Sequence, residues 1–330
     1  MAELRVSVAI GDYDRNRPLL DGRVKIDGLD PIFMTLEPEE IFFRALRHVE
    51  FDICELSLSS TAVRIARGDS PYVGVPAFVS RAFRHTSIYI RTDKGIREPR
   101  DLIGRRVGLP EYQLTACVWA RAILEDDFGV KPTDVLWVRG GIEQPGRPEK
   151  IDLHLPAELS LENAPEGRSL NSLLESGELD AFVGPRAPSC FERGHSHVDW
   201  LFPDPAAAAR EYYHRTRIFP IMHLVGIRHQ LARDNPWLPT AVLKAFDRSK
   251  AIALAQLSDV SATKVTMPFV EEQLRAIRRL MGEEFWPYGL AANRTVLDTF
   301  LAHHHRQGLS NRRLQVEELF HPATHESPKI

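Results

Sequence analysis

The chain has 330 residues, of which 43% are hydrophobic and 26% are charged, and its formal net charge is -3. This composition is that of an ordinary globular protein, and the length exceeds the range in which one core usually suffices, so two domains are expected. The near balance of charge argues against nucleic acid and against an anionic membrane as partners, because both require a clustered basic face. The expected partner is a small molecule.

The N-terminal residues enter a short apolar run, residues 6–10, which Asp12 follows closely. This run is too short for the hydrophobic region of a signal peptide, and no apolar stretch is long enough to span a bilayer. We therefore expect a cytoplasmic protein. Cys54, Cys117 and Cys190 form no CxxC pair, and their odd number argues against a disulfide framework. Their apolar neighbours favour a place in the core over nucleophilic catalysis.

Strand-like and helical patterns alternate in the first part of the chain, which indicates an α/β lobe with a mostly parallel sheet. The predicted strands cover residues 5–10, 31–36, 52–56 and 72–79, and the predicted helices between them cover residues 38–48 and 57–67. A further strand over residues 87–91 leads into a second series of the same kind.

The second series has the same alternation, and a helical region follows it. Its predicted elements are a short helix at 99–103, a strand at 106–109, a helix at 114–128, strands at 134–138 and 158–161, a helix at 169–176, a strand at 179–183 and a helix at 204–217. Residues 219–227 read as a strand that returns to the first lobe. The remainder is predicted to be helical at 236–257, 268–281, 295–306 and 316–319, with proline and glycine at the expected boundaries.

These patterns predict a two-lobed α/β protein in which each lobe is a mostly parallel sheet flanked by helices. The first lobe comprises residues 1–88 and 222–330, the second comprises residues 89–221, and the chain crosses between them twice. A ligand cleft is expected between the lobes at the carboxyl ends of the strands, with hinge closure around a small molecule.

Two strand-to-helix turns, residues 51–61 and 106–116, combine a short apolar run with a polar turn and a helix start. Backbone N–H groups at a helix start are left to bind an anion. Two such turns in separate α/β segments indicate a carboxylate held between two lobes.

Several segments taken together resemble the 4,5-dihydroxyphthalate decarboxylase family, whose fold is similar to that of type II periplasmic solute-binding proteins. They are residues 12–15 (DYDR) with 21–24 (DGRV), 51–57 (FDICELS), 83–86 (FRHT), 107–115 (VGLPEYQLT) and 218–223 (IFPIMH). The resemblance covers nearly the whole chain. It implies loss of one carboxylate from a hydroxylated aromatic diacid, 4,5-dihydroxyphthalate or a close analogue, with protocatechuate as the product.

Decarboxylation of a phenolic acid needs a cation or N–H cluster for the diacid, a group for the phenol proton and an acid that protonates the ring carbon. His85 near the first crossover and His223 in the return strand are the leading catalytic candidates, one as the acid and the other as an orienting residue or as the partner of a substrate carboxylate. Glu55, at the end of a strand, is the candidate base or phenol acceptor, because burial could raise its pKa; the alternative is a charge favoured by the helix dipole.

The remaining candidates are polar residues at strand ends and helix starts, which we predict to bind substrate. They are Asp12, Tyr13, Arg15, Ser57, Tyr112, Gln113, Thr115 and Arg186. Arg15 could pair with a carboxylate bidentately or could be a surface residue beside its acidic neighbours. Ser57 and Thr115 also suit helix capping, and Arg186 suits a surface loop.

No cofactor is predicted, and a requirement for a divalent metal stays open because scattered ligands leave no local signature. His303, His304 and His305 are consecutive near a helix end, so their side chains diverge and cannot share one ion. A homo-oligomer is also left open. The alternative function is a non-catalytic solute-binding protein of an ABC-type uptake system for an aromatic or other small carboxylate, in which the same cleft would bind without chemistry.

Overall fold

The computed structural model describes residues 3–147 and 150–326. The chain divides into two compact units. Unit 1 contains the chain up to Arg81, Ile221–Asp298 and the residues from Leu314 onward, and unit 2 contains Ala82–Pro220 and Thr299–Arg313.

Eleven strands and eleven helices are found in the described residues, together with several short 3₁₀ turns. The strands are β1 (Leu4–Ile10), β2 (Leu29–Thr35), β3 (Ile53–Ser57), β4 (Tyr72–Arg81), β5 (Ile88–Arg91), β6 (Arg106–Leu109), β7 (Leu136–Arg139), β8 (Leu161–Asn163), β9 (Ala181–Val183), β10 (Val198–Trp200) and β11 (Ile221–Arg228). The helices are α1 (Arg17–Leu20), α2 (Pro38–His48), α3 (Leu58–Arg67), α4 (Thr115–Phe128), α5 (Leu170–Ser176), α6 (Ser189–Glu192), α7 (Pro205–Thr216), α8 (His229–Asp234), α9 (Leu238–Leu257), α10 (Val270–Met281) and α11 (Arg294–Arg306).

Unit 1 is built on a five-stranded sheet with the order β2-β1-β3-β11-β4. β1 is parallel to β2 and to β3, whereas β11 is antiparallel to both β3 and β4. This sheet is therefore mixed but mostly parallel, as expected: β2, β1, β3 and β4 run in one direction, and β11 runs against them. β11 is reversed because of how its first residue pairs. Ile221 at the start of β11 is opposite Arg81 at the end of β4, so β11 runs back along β4.

Unit 2 has a six-stranded sheet with the order β10-β5-β9-β6-β7-β8. β9, β6, β7 and β8 are mutually parallel along this order. β5 is antiparallel to β9, and β10 is antiparallel to β5, so β10 has the direction of the parallel strands. Residues 115–124 of helix α4 are buried in unit 2, and Trp119 among them is fully inaccessible. The α/β class is confirmed, with two mixed sheets flanked by helices.

The domain boundaries differ from the prediction at two segments. Residues 82–88 belong to unit 2, where Phe83 stacks on Phe219 with ring centroids 4.8 Å apart. Thr299–Arg313 also belongs to unit 2 because Phe300 packs on Trp119, with centroids 5.4 Å apart. The chain therefore passes between the units four times rather than twice, at residues 81–82, 220–221, 298–299 and 313–314.

Most predicted elements are present with shifted ends. The predicted strand at 158–161 is found as β8, which begins only at its last residue, and the predicted helix at 236–257 begins at Leu238 after the separate helix α8. Within the described ranges, no helix has the length and apolar character needed to cross a membrane.

Candidate active site

Glu55 lies at the centre of the polar site in unit 1. It is the third residue of β3, whose five residues are all buried, and its own side chain is fully inaccessible to solvent. Three donors from other parts of the unit meet its carboxylate. The Gly11 N–H donates to Oε2 over 3.0 Å, the Tyr13 hydroxyl donates to Oε1 over 2.9 Å, and Nδ1 of His223 lies 2.5 Å from Oε1.

The electrostatic balance at Glu55 is opposite to the one expected. Burial by itself would raise the pKa of Glu55, but the hydrogen bond and charge of His223, with the donors on Gly11 and Tyr13, hold that pKa below its ordinary value. Glu55 is therefore a carboxylate at neutral pH. The expectation that burial raises the pKa of Glu55 is wrong, because three hydrogen-bond donors stabilise its buried carboxylate.

Strand pairing explains why Glu55 and His223 meet. On the antiparallel ladder of β3 and β11, Glu55 is opposite Val225. Side chains two residues apart on a strand share a face, so His223 projects on the same side as Glu55 and is its diagonal neighbour. This contact joins residues 168 positions apart in the sequence.

The orientation of the His223 ring follows from its partner. An ionised carboxylate has no proton to donate, so Nδ1 of His223 carries the hydrogen of the short contact. The ring of Phe42 packs edge-on against it, with centroids 4.8 Å apart. Its side chain is 18% exposed, and Nε2 has no hydrogen-bond partner in the part of the chain that the structure describes. Nε2 is the nitrogen that can exchange a proton with a ligand.

Tyr13 connects this pair to the loop after β1. A Cβ at Gly11 would lie 2.5 Å from Cζ of Tyr13, so only glycine at position 11 leaves room for this ring. Burial, followed by the charge and hydrogen bond of Glu55, raises the pKa of the Tyr13 hydroxyl. Tyr13 is thus a neutral donor to Glu55 at physiological pH.

Arg15 extends the site beyond Tyr13. Its guanidinium carbon lies 4.4 Å from the ring centroid of Tyr13 and 4.5 Å from that of Trp286. Nε donates to the Val79 carbonyl over 2.7 Å, and Nη1 donates to Asp14 over 3.1 Å. Nη2 has no hydrogen-bond partner among residues 3–147 and 150–326, and the side chain is 17% exposed. It is a fixed cation with donor capacity left for an anion.

Two other predicted residues of unit 1 have local roles. Asp12 is exposed and pairs with Arg17 over 2.9 Å, which lowers the pKa of Asp12. Ser57 is the N-cap of α3 and accepts from the Ser60 N–H over 3.4 Å. The structure therefore brings Tyr13, Arg15, Glu55 and His223 together, whereas Asp12 forms an ion pair at the surface.

His85 lies in unit 2, contrary to its predicted place in the first lobe. It is buried against Phe202 and Tyr212, with ring centroids 5.1 and 5.4 Å away, and its Nδ1 has no hydrogen-bond partner in the described part of the chain. Burial lowers the pKa of His85 to about 4. It borders a cavity of about 560 Å³ whose rim includes Arg97 and Asp126. At neutral pH this imidazole is uncharged, so it has no ready proton to donate.

The predicted helix-start residues of unit 2 are mostly internal. Tyr112 is fully buried, and the guanidinium of Arg121 lies 3.8 Å from its ring centroid. Gln113 is buried and donates to Glu111 over 3.3 Å. Thr115 is the first helical residue of α4 rather than its cap, since the N-cap position is occupied by Leu114, whose side chain offers no oxygen.

Arg186 is exposed in the segment after β9. Near the start of α4, the buried carboxylate of Glu111 holds two cations, with Arg147 and Lys150 each 2.7 Å away. This cluster was not predicted, because Arg147 and Lys150 lie in a loop whose pattern of glycine, proline and charge indicated only a connection.

Trp286 and Tyr288 were also missed by the sequence reasoning. Trp286 contacts Arg15 as described, and the Tyr288 hydroxyl is buried without a hydrogen-bond partner among the described residues. Burial raises the pKa of Tyr288, and the charges of Arg15 and Arg81 oppose this rise. Aromatic residues in a segment without periodic pattern carry no local signal of a site. Among residues 3–147 and 150–326, no group of three or more His, Cys, Asp or Glu side chains is arranged to hold a metal ion.

Comparison with known proteins identifies the relatives of this chain. A 4,5-dihydroxyphthalate decarboxylase from Comamonas testosteroni is 61% identical over 330 residues, the full length of both chains. This chain belongs to the 4,5-dihydroxyphthalate decarboxylase family. A protein of the same name from Pseudomonas putida is 62% identical over 213 residues, which is 64% of this chain and 83% of that protein. No family model matches the sequence.

Two solved structures with a similar fold are named as sulfonate-binding proteins. A putative sulfonate-binding protein SsuA from Methylobacillus flagellatus has a TM-score of 0.56 at 12% identity, covering 98% of this chain and 93% of its own. The alkanesulfonate-binding protein SsuA from Xanthomonas axonopodis, bound to MOPS, has a TM-score of 0.51 at 12% identity, covering 97% and 99%. These likenesses confirm the periplasmic-binding-protein-like fold that the sequence resemblance implied.

Proposed function

We propose that this protein is a carboxy-lyase that converts 4,5-dihydroxyphthalate into protocatechuate and carbon dioxide. The observation that carries the mechanism is the pair of His223 and the buried carboxylate of Glu55, with Nδ1 and Oε1 2.5 Å apart. The full-length relative with 61% identity is named as a decarboxylase of this substrate, which favours catalysis over the alternative of a solute-binding protein.

The reaction replaces one ring carboxylate by a proton. A proton joins the ring carbon that carries the carboxylate, the bond to the carboxylate then breaks, and its electron pair restores the aromatic ring as carbon dioxide leaves. In 4,5-dihydroxyphthalate each carboxylate is para to one hydroxyl. Loss of that hydroxyl's proton therefore directs electron density to the carbon that must be protonated, so the reaction needs both an acid and a proton acceptor.

His223 is the proposed acid. In its imidazolium form it presents a proton on Nε2, and the negative charge of Glu55 stabilises that form from the other side of the ring. After the proton is transferred, His223 is neutral and can accept a proton from the phenol or from water. Its partial exposure of 18% is compatible with exchange with solvent.

Arg15 is proposed to bind a substrate carboxylate through its Nη2 edge. A guanidinium pairs with a carboxylate by charge-assisted hydrogen bonds, and such pairs are stronger than neutral hydrogen bonds. Tyr13 lies between Arg15 and Glu55, contacting one by its ring and the other by its hydroxyl. The cation and the proton donor are therefore parts of one connected group of side chains.

His85 is a weaker candidate for the acid than His223. Its pKa of about 4 leaves it neutral under conditions in which an imidazolium is needed, and it forms no ion pair with a carboxylate among the residues that the structure describes. The catalytic role of His85 stays a prediction, as do the substrate-binding roles of Tyr112, Gln113, Thr115 and Arg186. The proposal includes a cytoplasmic location, which fractionation of cells that express the protein would test.

The direct test is release of carbon dioxide and formation of protocatechuate by the purified protein with 4,5-dihydroxyphthalate. Phthalate, which lacks the hydroxyl groups, should bind without turnover. The assay is run after dialysis against a chelator and again with added divalent metals, which answers the open question of metal dependence. Binding of 4,5-dihydroxyphthalate without product under every condition would contradict the proposed activity and would favour a solute-binding protein.

A further inference from the structure

The segment from Trp286 to Gly289 runs along the edge strand of the unit 1 sheet. Trp286 Nε1 donates to the Phe78 carbonyl over 2.9 Å, and the Gly289 N–H donates to the Pro76 carbonyl over 2.8 Å. Nη2 of Arg81 donates to the Pro287 carbonyl over 2.8 Å. All three contacts are made to β4, so the indole of Trp286 is anchored independently of Arg15.

The guanidinium of Arg15 depends on two rings that are held in different ways. Tyr13 is fixed by its hydrogen bond to Glu55, and Trp286 is fixed by its hydrogen bond to β4. An arginine side chain with many rotatable bonds loses much conformational freedom when it is held in one position. Two cation–π contacts, with the bonds to Val79 and Asp14, remove most of that freedom before any ligand arrives.

We propose that Trp286 is a positioning residue that fixes the direction of the free Nη2 edge of Arg15 and so determines how tightly the site binds an aromatic dicarboxylate. This inference rests on the proposed function of Arg15 as the carboxylate ligand. Trp286 itself does not take part in proton transfer; it acts through Arg15. Preorganisation of this kind lowers the cost of binding, because the side chain is already ordered.

The test compares Trp286→Leu with Trp286→Phe. Leucine removes the aromatic face, whereas phenylalanine keeps a smaller aromatic face and loses the indole N–H. We expect Trp286→Leu to raise KM for 4,5-dihydroxyphthalate and Kd for phthalate about 10-fold, from the usual strength of a partly buried cation–π contact. Trp286→Phe should stay within about threefold of the unchanged protein. Trp237→Leu is the matched control, because Trp237 is a 45% exposed tryptophan of the same unit.

A double-mutant cycle separates positioning from general packing. If Trp286 acts through Arg15, Trp286→Leu should change the phthalate Kd less than twofold when Arg15 is already replaced by Met. Equal losses in both backgrounds would overturn the inference, as would an unchanged phthalate Kd in Trp286→Leu with the native Arg15. Thermal unfolding of each variant checks that the fold is retained.

The outcomes for the two proposals can be told apart. Calorimetry with phthalate measures binding whether or not the protein releases carbon dioxide, so a protein that binds but does not turn over contradicts only the proposed reaction. A normal phthalate Kd in Arg15→Met contradicts the carboxylate role of Arg15 and the positioning role of Trp286 together. If the unchanged protein does not bind phthalate, both of these roles are likewise contradicted.

Discussion

Replacement of Glu55 by glutamine tests the electrostatic core of the site with almost no change in shape. Oε1 of Glu55 accepts two donors and Oε2 accepts the Gly11 N–H. Glutamine offers one oxygen and one NH₂ group, so at least one of the three donors loses its acceptor and faces another donor. One orphaned buried donor, together with two remaining bonds that are no longer charge-assisted, should lower the free energy of unfolding by about 3 kcal/mol at pH 7.

The same variant should lose turnover. Without the negative charge of Glu55, the imidazolium of His223 is no longer stabilised, and we expect the rate of protocatechuate formation to fall about 10²- to 10⁴-fold. Initial rates are measured spectrophotometrically at saturating substrate, and unfolding is followed in urea by circular dichroism. Glu50→Gln is the control, because Glu50 forms a surface ion pair with Arg44 in the same unit, and both rate and stability should be unchanged.

The pH dependence gives a further check on Glu55. Its folded pKa is below the ordinary value of 4.5, so its contribution to stability is present above that value and is lost as the pH falls through the folded pKa. The stability difference between Glu55→Gln and the unchanged protein should therefore shrink in acid. A folded Glu55→Gln variant with turnover within a factor of a few of the unchanged protein would refute the assigned role of the carboxylate.

Three further outcomes are expected. Gly11→Ala should displace Tyr13, because a Cβ would lie 2.5 Å from its ring, and should reduce turnover at least about 10-fold; a crystal structure with Tyr13 unmoved would contradict this. The His85 imidazole should titrate near pH 4 by NMR, and since its folded pKa is below the ordinary 6.5, its contribution to stability should be present above that value and lost in acid; a midpoint of 6 or higher would show that it is not desolvated. Tyr288→Phe should leave the urea midpoint unchanged or slightly raised, since it removes a buried hydroxyl that has no partner among the described residues; a drop of more than about 1 kcal/mol would reveal a hydrogen bond that the structure does not show.

Local pattern was sufficient for the elements around the site. The apolar run before Ser57 and the cap that this serine provides are neighbours in sequence, so the end of β3 and the start of α3 were predicted within a residue. The α/β class was indicated by the alternation of strand and helix patterns along the chain. The family was indicated by a set of short sequence segments. The boundaries of the units were less accessible, because the membership of Thr299–Arg313 depends on side chains that meet across nearly 200 residues of sequence.

The sequence by itself therefore determined most of the longer helices and strands, the α/β class and four of the residues that converge in unit 1, namely Tyr13, Arg15, Glu55 and His223. Only the tertiary structure decided which hydrogen bonds those residues form and in which direction their pKa values shift. Burial of Glu55 was foreseeable from its strand, but its pKa depends on donors supplied by residues 42 to 168 positions away, and these reverse the direction of the shift. For the same reason Trp286 could not be found from sequence: its role is a contact with Arg15, and contacts between distant segments exist only once the sheet has formed.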